Sequence, residues 1–444
     1  MARRRHRINF LAVLLLAIAG PIWAHPVRAQ NDHWIEVSRS GLRAAEEGRL
    51  VDAERFFRDA LNLSAHFGRD DPRRATSINN LAYILHAQGH YLAAEPHYLE
   101  SLELREAALG KDHPDVAQSC NNLAELYRVL GRYEEADALH RRALDIRERQ
   151  FGPDHPQVAQ TLNNLGVLYA IQERFTEAES LYGRALEIRI ASYGDDHLTV
   201  AETRNNLATL HYAQQRYDEA RPLYKRALEV ERKELGPDHP SLATTLSNLA
   251  ELHRVEERLD QAIELHSQAL AVREKALGPN HPETAQSLNN LAVARFIKGD
   301  LEAAEQLYER SIAIKEATLG REHPELALTL NNLAELYRMQ RRFDEAEQLF
   351  DRALAIDQRV VGPTHPSLAL GLNNLALLNF DRGAYVEAEE LLRRALTIEE
   401  QAYGPDDPKL ITTLENYAAV LRELRRLQDA DAVYDRAKAL RAQL

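Results

Sequence analysis

Apolar side chains recur at helical spacing along most of the chain. In the segment 114–129, Cys120, Leu123, Ala124 and Tyr127 fall on one face of a helix that turns 100° per residue. We predict that this face is buried in a core. The opposite face, predicted to be exposed, carries Gln118, Asn121, Glu125, Arg128 and Val129.

A second helical pattern follows the first after a short break. It runs from Tyr133 to Phe151, and the break contains Gly131. Pro114 suits the first turn of the first helix, because a proline lacks the N–H group that would have no partner there. Glycine suits the place where the chain leaves a helix. The segment therefore predicts a helical hairpin.

The hairpin recurs with a period of 42 residues. A pair of adjacent asparagines marks seven copies, and Ser247-Asn248 and Glu415-Asn416 keep the second asparagine in the same register. Nine copies without an insertion predict a stacked array, in which each unit buries its apolar face against its neighbours. We predict a divergent first hairpin at 30–66, tandem repeats over 67–426 and a capping helix at 427–444, which makes about ten hairpins.

The first 29 residues follow a different pattern. Four arginines lie within the first seven residues, an apolar run covers 10–19, and small residues lead up to Ala29. This pattern predicts a signal peptide over 1–29, cleaved after Ala29 or, as a second choice, after Ala24. The apolar run is shorter than the about 18 residues of a membrane-spanning helix. We expect a periplasmic or secreted mature chain without a membrane span.

The hairpin pattern resembles a known repeat family. Leu-Ala-x-x-Tyr in the first helix and Ala-x-x-x-Tyr-x-x-Ala in the second resemble the tetratricopeptide repeat. The 42-residue form with NNLAxLY and LGxDHP is similar to the repeats of kinesin light chains. This resemblance implies an all-α, right-handed α-solenoid. Kinesin light chains carry an N-terminal heptad region that binds the heavy chain, and a signal peptide and a repeat stand in its place, so kinesin heavy chain is not an expected partner.

Charge and cysteine content narrow the possible partners and chemistry. The chain has 55 basic and 68 acidic residues, a net charge of −13, and no basic stripe of the kind that binds phosphates. Nucleic acid is therefore not expected as a partner. The single Cys120 rules out an internal disulfide. No catalytic set stands outside the repeat register, so we expect neither enzymatic activity nor a cofactor.

One histidine per repeat raises the question of a metal site. A metal ion needs several ligands that converge within bonding distance, whereas these residues recur once per hairpin. Asp71 and Asp407 occupy the same position before a proline, and aspartate is a good helix N-cap. We therefore predict a capping or packing role and no metal for the histidines at positions 113, 155, 197, 239, 281, 323 and 365.

The predicted exposed face of the first helices is the candidate binding surface, because in stacked hairpins it lines a concave groove. The first asparagine of each pair forms a row of amides that can hold a peptide backbone, since an amide both donates and accepts hydrogen bonds. A solvated polar stripe is the alternative reading, and the second asparagine is predicted to be structural. The amide row comprises Asn79, Asn121, Asn163, Asn205, Asn289, Asn331 and Asn373.

Charged and aromatic side chains accompany this row. Arg128, Arg254 and Arg338 each follow a glutamate by three residues, so each is partly neutralised. Tyr212, Phe296 and Phe380 take the arginine position in other repeats. These features favour a non-catalytic scaffold or adaptor that binds a peptide segment of another protein in its groove. The alternatives are a self-assembling structural protein of the cell envelope and a regulatory subunit of an enzyme complex.

Overall fold

The computed structural model of this chain describes residues 25–68 and 71–442, and all regular elements in those ranges are helical. Twenty α-helices within the described ranges form ten consecutive hairpins, which confirms the predicted all-α solenoid. Residues 1–24 of the predicted signal peptide lie outside the described ranges, and cleavage after Ala29 would fall within the first helix. No helix in the described part of the chain has both the length and the apolar character needed to cross a membrane.

The first helices of the ten hairpins carry odd numbers: α1 His25–Glu46, α3 Pro72–Ala87, α5 Pro114–Val129, α7 Pro156–Ile171, α9 Leu198–Ala213, α11 Ser241–Val255, α13 Pro282–Lys298, α15 Pro324–Met339, α17 Leu368–Arg382 and α19 Ile411–Glu423. The second helices carry even numbers: α2 Leu50–Ser64, α4 Tyr91–Leu109, α6 Tyr133–Phe151, α8 Phe175–Tyr193, α10 Tyr217–Leu235, α12 Leu259–Leu277, α14 Leu301–Leu319, α16 Phe343–Val361, α18 Tyr385–Tyr403 and α20 Leu427–Arg441. Two 3₁₀ turns, Ala65–Phe67 and Pro408–Leu410, adjoin α2 and α19.

The repeated histidine caps the first helix, as predicted. In all seven copies its Nδ1 accepts a hydrogen bond from the backbone N–H two residues later, at 3.1 to 3.2 Å. Asp71 and Asp407 make the same bond with a carboxylate oxygen, at 2.9 and 2.8 Å. The cap satisfies one of the N–H groups that a helix start leaves without an intrahelical partner. Because Nδ1 accepts, the proton of the neutral ring lies on Nε2.

The predicted core face is buried. Cys120, Leu123, Ala124 and Tyr127 are all less than 8% exposed, and Ala136 of α6 is fully buried against them. Helix α6 contacts both α5 of its own hairpin and α7 of the next. Small alanines at the helix contacts let the backbones approach closely. Each hairpin therefore completes its core only with the help of the following one.

The curvature of the array places the first helices on the inside. From α3 to α19, each first helix contacts the first helix of the next hairpin, whereas successive second helices lie farther apart in the described ranges. The side that is shorter along the array is the inside of the curve. The first helices therefore line the concave surface, which we call the groove.

A buried charged side chain near the end of most second helices joins successive hairpins. Arg147 donates to the backbone carbonyl of Gln157 at 3.0 Å and to the Thr161 hydroxyl at 2.8 Å. The same two bonds recur at other positions of the 42-residue register, which together form one column. The residues at these positions are Arg105, Arg189, Arg273 and Lys315. A buried cation is tolerated here because hydrogen bonds compensate for its lost hydration.

Glu231 occupies this column with the opposite charge. It is 9% exposed, accepts a hydrogen bond from the Thr245 hydroxyl at 3.0 Å, and has no partner for its Oε2 among the described residues. Burial raises the pKa of Glu231 to about 7, and the Thr245 hydroxyl offsets this effect only in part. Deprotonation of this carboxyl group is therefore much less favourable in the folded chain than in the unfolded chain.

We predict that Glu231→Gln stabilises the protein at alkaline pH. Relative to the unfolded chain, the stability that the Glu231 carboxyl group contributes is present below pH 4.5, the ordinary glutamate pKa, and is lost as the pH rises through about 7. The amide does not ionise, so the gain should reach the order of 1–3 kcal/mol above pH 7 and fall toward zero near pH 4.5. Denaturation at pH 5 and pH 8 measures it. Glu229→Gln, on the exposed face of α10, is the control, and an equal pH-dependent gain from both variants would contradict the prediction.

Candidate peptide-binding groove

The first asparagine of the repeated pair does not lie on an exposed face. Asn79, Asn121, Asn163, Asn289 and Asn373 are all at most 8% exposed, so the predicted exposed row of amides is wrong at these five positions. In the remaining two copies, Asn205 and Asn331, the residue is half-buried. The buried amides cannot reach a ligand in the groove.

Five of the seven first asparagines instead accept a hydrogen bond from the next repeat. In five pairs the second asparagine of one hairpin donates its Nδ2 to the Oδ1 of the first asparagine of the hairpin before it. These pairs are Asn122 to Asn79 at 2.9 Å, Asn206 to Asn163 at 3.0 Å, Asn248 to Asn205 at 3.2 Å, Asn332 to Asn289 at 3.1 Å and Asn416 to Asn373 at 2.9 Å. The hydrogen bond between asparagines of successive repeats thus joins neighbouring first helices. It confirms the bonding role predicted for the second asparagine.

The predicted exposure of the first asparagine is wrong for a geometric reason. A helix wheel divides a helix into one buried and one exposed face, but a first helix here is packed by its own partner and by the hairpins on both sides. Asn121 lies on the flank that meets the next hairpin, where its Nδ2 donates to Thr161 at 3.3 Å. The groove keeps only a narrow stripe, which in α5 consists of Gln118, Asn122, Glu125 and Val129.

The second asparagine forms the middle row of that stripe. Its Oδ1 accepts a hydrogen bond from a glutamine one turn earlier in three repeats: Gln118 to Asn122 at 2.9 Å, Gln160 to Asn164 at 3.1 Å and Gln286 to Asn290 at 3.0 Å. Most members of this row are half-buried. The row is polar, neutral and held in a fixed orientation by neighbouring amides.

The arginines of the predicted site are paired, as expected. The Nε of Arg128 donates to Glu125 at 2.7 Å, that of Arg254 to Glu251 at 2.7 Å, and that of Arg338 to Glu335 at 2.8 Å. Burial acts to raise the pKa of Glu125, but the charge of Arg128 and its hydrogen bond outweigh that effect, so the pKa is lowered. Arg338 also bonds Asp381 of the next repeat. The charges in the groove are therefore largely neutralised by one another.

The three aromatic residues are half-buried at the ends of their helices. Tyr212 lies at 5.7 Å from Tyr217 between ring centroids, and Phe380 lies edge-to-face at 5.4 Å from Tyr385. Phe296 is partly buried against a core cluster. Each of them therefore closes the end of a hairpin and presents only part of its ring to solvent.

Exposed aliphatic side chains in the groove were missed by the sequence reading. Leu328 is 37% and Met339 60% exposed on α15, Ile297 is 45% exposed on α13, and Leu370 is 51% exposed on α17. Leu328, Asn332, Glu335 and Met339 follow one another at steps of four, three and four residues, which puts them on one stripe of α15. We call Ile297, Leu328, Met339 and Leu370 the groove patch. A comparison between repeats of the positions equivalent to Gln118, Asn122, Glu125 and Val129 would have found the patch. Most other copies carry a polar or smaller residue at the positions of the patch.

The described residues contain no group of three or more His, Cys, Asp or Glu side chains placed to hold a metal ion. Cys120 lies in the core, where burial raises the pKa of its thiol to about 11. A thiol with such a pKa is protonated near neutral pH and is a poor nucleophile. The amide and aliphatic side chains of the first helices offer hydrogen-bonding and apolar contacts in the groove.

The hairpins and the groove lined by their first helices define a helical repeat protein. The family model described as "Tetratricopeptide repeat" matches the chain nine times between residues 41 and 443, and the chain belongs to this family. The matches cover 41–107, 73–136, 115–191, 158–229, 199–254, 241–317, 289–359, 325–398 and 367–443. None of the curated proteins compared matches the sequence.

Several solved structures are similar to this chain. BtubC (BKLC) from P. vanneervenii is 24% identical over 53% of this chain and 93% of that chain, with a TM-score of 0.43. A putative kinesin light chain from Podosopora anserina with TPR-like repeats is 26% identical over 46% of this chain and 98% of that chain, with a TM-score of 0.39. A Rap protein complexed with Competence and Sporulation Factor is 16% identical over 84% of this chain and 99% of that chain, with a TM-score of 0.53. This last similarity concerns the fold.

We predict that Asn289→Ala destabilises the protein by roughly 1–3 kcal/mol, because it leaves the half-buried Nδ2 of Asn332 without its acceptor. Asn331→Ala, one repeat later, is the matched control, since the Oδ1 of Asn331 has no hydrogen-bond partner within the described ranges. Chemical denaturation followed by circular dichroism measures both. If the two variants lose equal stability, the hydrogen bond between the repeats does not contribute as argued.

Proposed function

We propose that this chain is a non-catalytic interaction scaffold whose groove binds an extended segment of another protein. The groove patch is the observation that supports this most directly. Exposed apolar side chains on three successive first helices, α13, α15 and α17, form a surface on which an apolar ligand would bury area otherwise left in water. Scattered apolar residues are common on protein surfaces, but these share one face.

The asparagine row complements the patch. Asn332 lies between Leu328 and Met339 on the same stripe of α15, so a bound segment would place apolar side chains on either side of a central polar strip. The strip can exchange hydrogen bonds with a peptide backbone without demanding a particular sequence. Register between ligand and groove would come from the apolar side chains.

The charge arrangement favours a ligand segment of low net charge. Arg338, the cation nearest to the patch along α15, is bonded to Glu335 and Asp381. A strongly charged ligand would have to break these pairs or leave its own charges unpaired. We therefore expect an affinity that changes little with salt, because screening acts mainly on exposed, unpaired charges.

Replacing groove-patch residues by glutamate should weaken binding without unfolding the protein. Linear peptides are selected on the purified chain from a displayed random library, and their affinities are measured for the wild type and for Ile297→Glu/Met339→Glu. We expect selected peptides rich in apolar residues and at least a tenfold loss in the variant, about 1.4 kcal/mol.

The control is Leu92→Glu/Val386→Glu, which changes two residues that are 66% and 60% exposed on second helices. This control should bind like the wild type, and both variants should keep the wild-type circular dichroism and melting temperature. Equal affinity of the peptides for the groove variant and the wild type would place the binding surface elsewhere. Selection of no peptide, together with oligomers in light scattering, would favour the self-assembly alternative.

We also propose that the chain is exported. The support is the sequence of residues 1–29, with its arginine-rich start, its short apolar run and the small residues before Ala29. Export would deliver the scaffold to the periplasm or the exterior. The buried thiol of Cys120 is compatible with an oxidising compartment, because it is shielded from disulfide exchange.

N-terminal sequencing of the protein purified from its native cells tests export. We expect a mature chain that begins at Gln30 or, for the second cleavage site, at His25. Expression of Leu14→Arg/Leu15→Arg, which interrupts the apolar run, should leave full-length precursor inside the cell. A soluble wild-type protein that retains its first residues would contradict the proposal.

A further inference from the structure

The superhelix touches itself between segments that are far apart in the sequence. The Nε2 of His323 lies 3.1 Å from the backbone oxygen of Ala87, a residue 236 positions earlier in the chain. Because the Nδ1 of His323 accepts from the helix that it caps, its Nε2 carries the proton and donates this bond. The separation corresponds to between five and six repeats of 42 residues. His323 is 4% exposed, which shows that the contact excludes water.

Two further contacts repeat this one in the neighbouring hairpins. Glycines at the turns of the first three hairpins face the capping histidines of three later hairpins. A Cβ atom built on Gly48 would lie 2.8 Å from the Nε2 of His281, and one built on Gly131 would lie 2.6 Å from that of His365. Gly89 faces Pro324 and His323 in the same way. We call these three contacts the seam.

Backbone conformation alone does not explain the three glycines. The same turn position has a positive φ in every repeat, yet five other copies carry a residue with a side chain: Glu173, Gln215, Glu257, Arg341 and Arg425, with φ between 59° and 62°. These residues show that the turn tolerates a Cβ atom. A Cβ atom added to Gly299 or Gly383 would meet no heavy atom of another described segment within 4 Å, unlike one added to a seam glycine. At the seam, glycine permits a close approach between segments.

The seam borders the groove patch. Leu328 follows the seam residue His323 by five positions, and Leu370 follows the seam residue His365 by the same distance. A cleft of about 270 Å³ beside the first seam contact is lined by residues of both superhelical turns, including Glu47, Arg49 and Asn280. These contacts join the edges of successive superhelical turns beside the groove patch.

We propose that the seam closes the superhelix around the groove and excludes folded partners from the side, so that the ligand of the groove is a chain segment that enters along the superhelical axis. That the groove binds a ligand at all rests on the proposed function. The closure itself is a property of the chain alone, and it is tested without any ligand.

A short cross-linker tests whether the seam forms in solution. Glu47→Cys/Asn280→Cys places two thiols in the same cleft, and a short bismaleimide should join them within one chain in high yield. Glu47→Cys/Asp238→Cys is the matched control, because Asp238 holds the position of Asn280 one repeat earlier. Equal intramolecular yields for the two pairs, or none for the first, would overturn the seam.

Opening the seam should expose the groove to large reagents. The probe is Leu328→Cys, whose labelling rate is compared for a free maleimide and for a maleimide attached to a small folded protein. The parent chain, with Cys120 alone, supplies the background. We expect Gly89→Glu/Gly131→Glu to raise the rate of the protein-linked reagent at least tenfold while the rate of the free reagent stays the same. Gly299→Glu/Gly383→Glu, at turns outside the seam, should change neither rate.

The outcomes separate the two proposals. Rapid labelling of the wild-type groove by the protein-linked reagent, equal to that of the seam variant, would overturn the closure whether or not peptides bind. Slow labelling of the wild type that the seam variant relieves would establish the closure even if the peptide selection fails. Small-angle X-ray scattering should show a larger radius of gyration for the seam variant than for its control, with similar circular dichroism.

Discussion

The contact between successive hairpins is the interaction on which the rest of the structure depends. A single hairpin buries only part of the apolar surface of its second helix, and the next first helix covers the remainder. In such a stack the stability is close to a sum of hairpin and interface contributions. The interface therefore decides the stability of the array and, through its geometry, the curvature that creates a groove.

Polar groups fix the geometry of this interface. The apolar contacts favour burial without specifying one alignment, whereas each Arg147-type side chain must meet a carbonyl and a hydroxyl, and each Asn-Asn pair must align two first helices. Both sets of bonds recur in the 42-residue register. Small regular rotations between hairpins then add up, so that the array returns to itself at the seam. The seam contacts follow from this accumulated curvature and from the glycines that allow it.

The buried position of Arg147 carries different residues in different repeats, and the hairpins keep the same fold. Lys315 makes the two hydrogen bonds that an arginine makes elsewhere, whereas Glu231 accepts one from Thr245, and burial raises its pKa to about 7. The groove varies more freely, since its residues face solvent and carry few packing constraints. Variation of groove residues between repeats is what allows one region, the groove patch, to differ from the others.

The sequence by itself determined the hairpins, their number and their caps. These depend on local chemistry: helical spacing of Leu123 and Tyr127, proline at the first turn, and a histidine at the position where other copies carry a capping aspartate. An exact period then carries each local conclusion to every copy. The pairing of Arg128 with Glu125 was also predictable, because residues three apart in a helix are neighbours.

Only the tertiary structure decided which polar residues face the groove and where distant repeats meet. Asn121 and Asn122 are adjacent and chemically identical, and their different surroundings arise from the hairpins on either side, which a single helix wheel does not contain. The meeting of Ala87 with His323 depends on rotations summed over more than five repeats. A small change in the rotation at each interface would move these residues apart, so the seam is a property of the whole array and of no single repeat.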